Sequence, residues 1–205
     1  MARYIGPVCK LCRHVNVKLG LKGSRCQTPK CAMERQSKGR PPRRRRVSDR
    51  GLQLIEKQKV RFSYGLLERQ FRRVFEEAER QPGVTGDNLL VLLERRLDNV
   101  IYRLGFADSR SQARQMVEQG HFTVNGRRAS IPSHPVKEGD TIGWTQSAAK
   151  SEYYKGVLSG IESKQIVSWL TLDRQNMTGR VISLPTPDEI GAEFDSKAIV
   201  EYYSR

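Results

Sequence analysis

Ser109-Arg110-Ser111-Gln112-Ala113-Arg114, continuing through Gly120-His121-Phe122-Thr123-Val124-Asn125-Gly126-Arg127-Arg128, is the stretch from which the fold is read. Ser109 followed three residues later by Gln112 is a capping box, and it opens a short helix that Gly120 ends. On that helix Ala113, Met116 and Val117 face inward. Arg110 and Arg114, one turn apart, flank the apolar face and can point at one partner. His121-Phe122-Thr123-Val124 alternates as a strand, Asn125-Gly126 is the strongest short hairpin signal, and Arg127-Arg128 begins the returning strand. After Lys137-Glu138-Gly139-Asp140, the run Thr141-Ile142-Gly143-Trp144 gives a third strand. Helix, hairpin and strand make a compact unit with basic side chains at its helix start and hairpin tip.

Upstream, residues 48–80 read as helix. Val60, Tyr64, Leu67, Phe71, Val74 and Ala78 recur at spacings of three and four, a core stripe, with Arg69, Arg72 and Arg73 off it. Gly65 is a point at which this helix can divide, and Pro82-Gly83 stops it. A further helix is expected from Thr85 or Asp87 to Gly105. Its buried face is Leu89, Leu93, Leu97, Val100/Ile101 and Leu104, with Arg95, Arg96 and Arg103 projecting elsewhere.

The chain has 205 residues, a hydrophobic content of 37% and a net charge of +15. That length suits one large or two small domains, with enough apolar content for a core. The charge is uneven: residues 1–50 carry 15 Lys/Arg against only Glu34 and Asp49, a net of +13, and the other 155 residues carry +2. Such a field calls for a polyanionic partner. An anionic membrane surface is disfavoured because Tyr4 is the segment's only aromatic and no amphipathic helix with apolar anchors is present. The longest strictly aliphatic run, Leu89–Leu93, is far short of a membrane span, and no secretory h-region is seen at the N-terminus. Nucleic acid is the expected partner.

All four cysteines, Cys9, Cys12, Cys26 and Cys31, lie in the first 31 residues, spaced Cys-x2-Cys-x13-Cys-x4-Cys. A two-residue gap lets two sulfurs turn toward one ion, and a second pair completes a tetrathiolate. Disulfides are the weaker reading without an export signal. Zinc (Zn2+) is the natural occupant. An iron–sulfur cluster is the alternative, though the spacing matches neither common ferredoxin pattern. With four thiolates the site is structural, leaving no open position for water, and His14 is not needed as a ligand. Apart from cysteine, residues 1–50 hold only 13 apolar residues, so a metal is expected to replace a missing core. Beyond the cysteines, Pro41-Pro42 forbids helix, and Arg43–Arg46 repel one another unless neutralised. The segment reads as an extended arm along a phosphate backbone, with a solvated linker or a nuclear-import patch as the blander alternatives.

No His-Glu-x-x-His, phosphate-binding lysine loop, Gly-x-Ser-x-Gly or dinucleotide fingerprint is present. His14, His121 and His134 have no positional partner that would make a general base. No catalysis and no small-molecule substrate are expected.

The run Leu97-Asp98-Asn99-Val100-Ile101-Tyr102-Arg103-Leu104-Gly105-Phe106, with the Ser109–Arg114 and Gly120–Arg127 segments, closely resembles the RNA-binding module named after the fourth protein of the small ribosomal subunit. The opening Met-Ala-Arg-Tyr with its four cysteines also resembles the bacterial-type family of that protein. So do Glu56–Lys59, Tyr64-Gly65, Glu68–Arg72, Phe75–Ala78, Trp169–Asp173, Leu184-Pro185 and Tyr202–Arg205. The similarity is nearly end to end, and departures lie mostly in residues 145–166. Many family members lack the cysteines, so the metal rests on spacing alone.

The resemblance implies an α+β fold: a metal-stapled N-terminal segment and helical domain with an inserted helix–hairpin module. The expected boundaries are 1–47 for the metal-binding segment, 48–91 completed by 176–205 for the helical domain, and 92–175 for the module. It implies a structural, primary ribosomal-RNA-binding protein that nucleates assembly of the subunit body, touches the fifth small-subunit protein and influences decoding accuracy. It also leaves open contact with messenger RNA near its entry site and repression of the protein's own messenger. Folded RNA is expected to be read by shape and backbone. Expected contacts are Arg3, Lys10, Arg13, Lys18, Lys22, Arg25, Lys30, Arg35, Lys38, Arg40, Arg43, Arg44, Arg45 and Arg46. Later in the chain they are Arg69, Arg72, Arg73, Arg96, Arg103, Arg110, Arg114, His121, Arg127 and Arg128. The rival readings are an RNA-binding accessory of an RNA-modifying enzyme and a zinc-dependent nucleic-acid-binding regulator.

Overall fold

A computed structural model describes residues 3–37, 47–186, 189–190 and 194–204. The chain divides into two compact units, residues 1–90 with 187–205, and residues 91–186. The second unit therefore takes in residues 176–186, which the sequence had suggested for the helical part.

In the first unit, α1 (Cys9–Val15), a tight turn at Gly23–Gln27 and α2 (Ala32–Ser37) precede α3 (Asp49–Ser63) and α4 (Glu68–Arg80). Ser48 caps α3, its Oγ accepting from the Gly51 N–H at 3.3 Å. The division between α3 and α4 falls at Gly65, whose φ of +64° is a conformation L side chains resist. The expected stripe is buried at Val60, Tyr64, Phe71 and Ala78, and Phe75 joins it. α5 (Thr85–Glu94) follows Pro82-Gly83. The last described helix, α9 (Ser196–Tyr203), packs along α3 and against α4, with Ile199 fully buried and Tyr203 against Phe75 at 4.4 Å between ring centroids.

In the second unit the long helix expected to reach Gly105 stops at Glu94 and restarts as α6 (Leu97–Arg103). Arg96 adopts an extended conformation, and the backbone is diverted onto the Pro-rich loop. Val136 N–H donates to Arg95 O, Leu97 N–H to His134 O, and Asp98 N–H to Pro132 O, at 2.8–3.1 Å. Periodicity cannot reveal this break, because those loop carbonyls come from about 40 residues further on. α7 (Arg110–Glu118) begins at Ser109, whose Oγ accepts from the Gln112 N–H, while Gln112 Oε1 accepts from Asp108 N–H.

β1 (Phe122–Val124), β2 (Arg127–Ala129), β3 (Thr141–Trp144), β4 (Leu170–Asp173) and β5 (Thr178–Val181) form one antiparallel sheet in the order β2-β1-β3-β5-β4. Asn125 and Gly126 both have positive φ, as the two-residue hairpin turn demands. Strands β4 and β5 and the helix α8 (Glu152–Gly160) lie where no element had been expected. The inner sheet face (Phe122, Ile142, Leu170, Val181) packs on Leu97, Ile101, Leu104, Phe106 and Val117, all buried.

Candidate nucleic-acid interface

The centre of the second unit's charge is a buried ionic network. Glu94, at the end of α5, has a side chain 1% exposed. It accepts from Arg103 Nη2 at 2.7 Å and from Asn99 Nδ2 at 2.7 Å, with Arg110 Nη2 3.8 Å away. Asp98 is also enclosed and accepts from Arg96 Nη2 at 2.7 Å, with Arg114 Nη1 at 3.6 Å. Arg110 Nε also donates to Asn99 Oδ1 at 2.7 Å, and its guanidinium lies 4.7 Å from the Tyr102 ring centroid. Arg114 Nε reaches Glu118 Oε1 at 3.2 Å.

Buried carboxylates left unpaired are costly, so these arginines hold the α5–α6–α7 corner together. The sequence had Arg96 and Arg103 projecting away from the buried face, and Arg110 and Arg114 flanking the apolar face toward a partner. The structure instead buries Arg96 and Arg114 and leaves Arg103 and Arg110 partly exposed. Four arginines still outnumber Glu94, Asp98 and Glu118, so the corner stays cationic.

The hairpin presents Arg127 to solvent, while Arg128 folds back, its Nε donating to Gly120 O at 3.2 Å and Nη2 to Gln119 O at 3.0 Å. Those contacts supply partners to carbonyls just past the end of α7. His121 is half-buried, one ring nitrogen 2.9 Å from Gln119 Oε1. Sequence reasoning missed Arg174 and Arg180, both exposed around β5. The β-branched Thr178 and Val181 carried a weak strand signal for Arg180, interrupted by Gly179.

In the first unit Arg3, Lys10, Arg13, Lys22, Arg25, Lys30 and Arg35 are exposed. Lys18 donates to Glu34 at 2.6 Å, and that hydrogen bond raises its pKa despite slight desolvation. On α4, Arg69 and Arg73 are exposed, and Arg72 lies 3.2 Å from Glu76 one turn on. Lys38, Arg40 and Arg43–Arg46 lie outside the described residues.

The four cysteines are not disulfide-bonded; Cys12 and Cys31 are buried, and Cys9 and Cys26 are half-buried. Burial pushes the Cys12 thiol up. The Leu19 backbone N–H opposes this, and Cys26, Cys9 and Cys31 add to the rise. The Lys22 N–H donates to Cys26 Sγ at 3.3 Å. Among the described residues, no group of three or more His, Cys, Asp or Glu side chains is drawn together closely enough to hold a metal ion, so the expected metal staple is not formed by their positions here. No helix among these residues is long and apolar enough to cross a membrane.

A helix–hairpin module carrying arginines on a buried ionic corner, in a chain whose other unit is a cation-rich helical one, defines an RNA-binding class of protein. Known families match in the same two parts. The profile described as "Ribosomal protein S4/S9 N-terminal domain" matches residues 3–94, and the S4 domain profile matches residues 95–142. Proteins named small ribosomal subunit protein uS4 from Pelotomaculum thermopropionicum, Dehalococcoides mccartyi and Thermus thermophilus are 54%, 52% and 49% identical to it, each over the full length of both chains. The chain belongs to the uS4 family of small ribosomal subunit proteins, a structural rather than an enzymatic family.

Proposed function

We propose that the chain is a structural constituent of the small ribosomal subunit, in the cytoplasm, and that it binds small-subunit ribosomal RNA directly. The observation that carries this is full-length identity of about half to proteins named for that subunit. The exposed cations of both units support it. Backbone recognition suits the arrangement: guanidinium groups donate to phosphate oxygens, and the ionic corner fixes their spacing before RNA arrives. Nucleation of the subunit body, contact with the fifth small-subunit protein, a contribution to decoding accuracy and contact with messenger RNA near its entry site extend the same reading. The test is co-sedimentation with small subunits after a high-salt wash, paired with competition of folded ribosomal RNA against duplex DNA. Release by the wash, or equal competition by DNA, would overturn it.

Zinc held by Cys9, Cys12, Cys26 and Cys31 belongs to this proposal. The donor set is chemically suited, since four soft thiols stand in two pairs within one 23-residue stretch and the Lys22 N–H already points at one sulfur. Bound there, the metal would cross-link a segment poor in apolar residues. One zinc per chain by elemental analysis, with all four thiols protected from alkylation, is the expected result. Iron with inorganic sulfide would replace zinc by a cluster, and metal-free, fast-labelling thiols would sink both.

A further inference from the structure

Strand alternation gives the sheet an inner face on the core and an outer face that no core residue requires. On the outer face, Arg128, Thr123 and Gly143 stand directly across from one another on β2, β1 and β3, with Thr178 of β5 beside Gly143. The next row is Thr141, Arg180 and Thr171. These positions are half-exposed or exposed, and they are hydroxyl-bearing or cationic apart from Gly143 and from Asp173, which stands opposite Thr178 at the end of the Gly143 row.

Gly143 is the anomaly. Glycine weakens a strand interior, so it needs a reason. Gly179, one strand over, has one: a Cβ there would meet Leu104 Cδ1 at 2.4 Å, so the core demands its absence. Gly143 does not. Its φ is not positive, and a Cβ would meet only Thr123 Oγ1 at 3.4 Å and Thr178 Oγ1 at 3.9 Å, ordinary contact distances. Among the described residues, neither backbone conformation nor packing calls for glycine there. Close approach by a partner is the remaining use of a glycine inside a strand.

We propose that the outer sheet face is a second RNA-binding surface, on which a sugar–phosphate backbone crosses the strands and comes closest at Gly143. The chemistry selects that occupant. The exposed Arg180 guanidinium donates to a phosphate, and Arg128 adds positive field at the other side. Thr123 Oγ1 donates to Gly143 O and Thr178 Oγ1 to Asn176 O, so both oxygens present lone pairs suited to ribose 2′-hydroxyls. Asp173, opposite Thr178, is a carboxylate at the β4 end of the Gly143 row. It accepts from the N–H groups of Gln175 and Asn176 and from Asn176 Nδ2, and its charge turns a phosphate away from that end of the row, toward Thr123 on one side of Gly143 and Arg180 in the next row.

This rests on the chain being a ribosomal-RNA-binding protein, so the test includes the parent. Full-length parent, Gly143→Ala and Arg180→Gln are titrated against small-subunit ribosomal RNA over a salt series, with thermal melting of each. Gly143→Ala is expected to melt no lower than the parent and to bind about tenfold more weakly. Arg180→Gln is expected to bind more weakly, with a log–log salt slope shallower by about one. Parent-like binding by Gly143→Ala overturns the surface, and an unchanged slope for Arg180→Gln overturns the phosphate assignment. A lowered melting temperature for Gly143→Ala would make the glycine structural and overturn the argument. Normal RNA binding with impaired incorporation into subunits would assign the face to a protein, which also overturns it. A parent that fails on ribosomal RNA would sink the function itself.

Discussion

Asp98 shows how a residue's role depends on what burial does to its charge. Its side chain is 6% exposed and lies between Arg96 and Arg114. Removing it takes the carboxylate from the largely buried Arg96 guanidinium and one of two from Arg114, which keeps Glu118. Asp98→Ala is therefore expected to cost about 3–5 kcal/mol, measured by denaturant unfolding. A cost under about 1 kcal/mol would mean that water reaches the pair. The same network changes what Arg110 and Arg114 report. Replacing both with Gln should lower the melting temperature as well as the preference for ribosomal over unrelated RNA, because Glu94 and Asp98 each lose a cation. Unchanged melting with lost preference would place the two guanidinium groups on RNA alone. In the sequence these arginines flanked the apolar face and pointed at an outside partner, because a helical wheel records angle around one helix, whereas Glu94 and Asp98 sit on neighbouring helices. Their charge was legible; its enclosure was not.

At the scale of elements, α3, α4 and α9 meet at Glu68. Its Oε1 accepts from Lys57 Nζ at 2.6 Å and from the Tyr203 hydroxyl at 3.0 Å, with Arg61 at 3.5 Å. Burial by itself would raise the Glu68 pKa. The Lys57 and Tyr203 hydrogen bonds and the charges of Lys57 and Arg61 outweigh it and hold the carboxyl below its usual value. A depressed folded-state pKa gives stability that is present above the unfolded value, about 4.3, and lost as pH falls through the folded value. Glu68→Gln should therefore cost about 1 kcal/mol at pH 7, a modest figure because the side chain is 47% exposed. The difference from the parent should vanish at strongly acidic pH, as unfolding curves at the two pH values would show; a constant difference would remove the linkage. The break at Gly65 was legible because glycine interrupts a helical period. The α9 contact was not. Tyr202 and Tyr203 read as a terminal aromatic pair, and nothing local shows that both rings lie within 6 Å of the buried Lys57 ammonium. Strands β4 and β5 were missed for a related reason. Gly179 breaks the apolar alternation of β5 because Leu104 fills the space its side chain would take.

For the whole molecule the governing quantity is where the charge sits. The first 50 residues carry +13 of the +15, and their described cations are mostly exposed, whereas the second unit's arginines are largely committed to carboxylates or backbone. This predicts a division of labour, with the first unit supplying long-range, salt-sensitive attraction and the second a rigid, less salt-sensitive register. Deleting the N-terminal segment would be a poor test, because α1 packs against α3 and His14 meets the Phe62 ring edge-on. Replacing the exposed Lys10, Arg13, Lys22 and Arg25 with Gln keeps those contacts and removes four charges. If all four meet phosphates, the log–log salt slope on ribosomal RNA should become shallower by about three, with melting unchanged. Affinity should fall on unrelated RNA in nearly the same proportion, since attraction of this kind carries no register. Asp98→Asn in the second unit should do the reverse, reducing preference for the folded ribosomal target while leaving the slope almost intact. An unchanged slope in the four-fold variant would show that the N-terminal cations face solvent in the complex. A selective loss on ribosomal RNA alone would show that they, too, read shape.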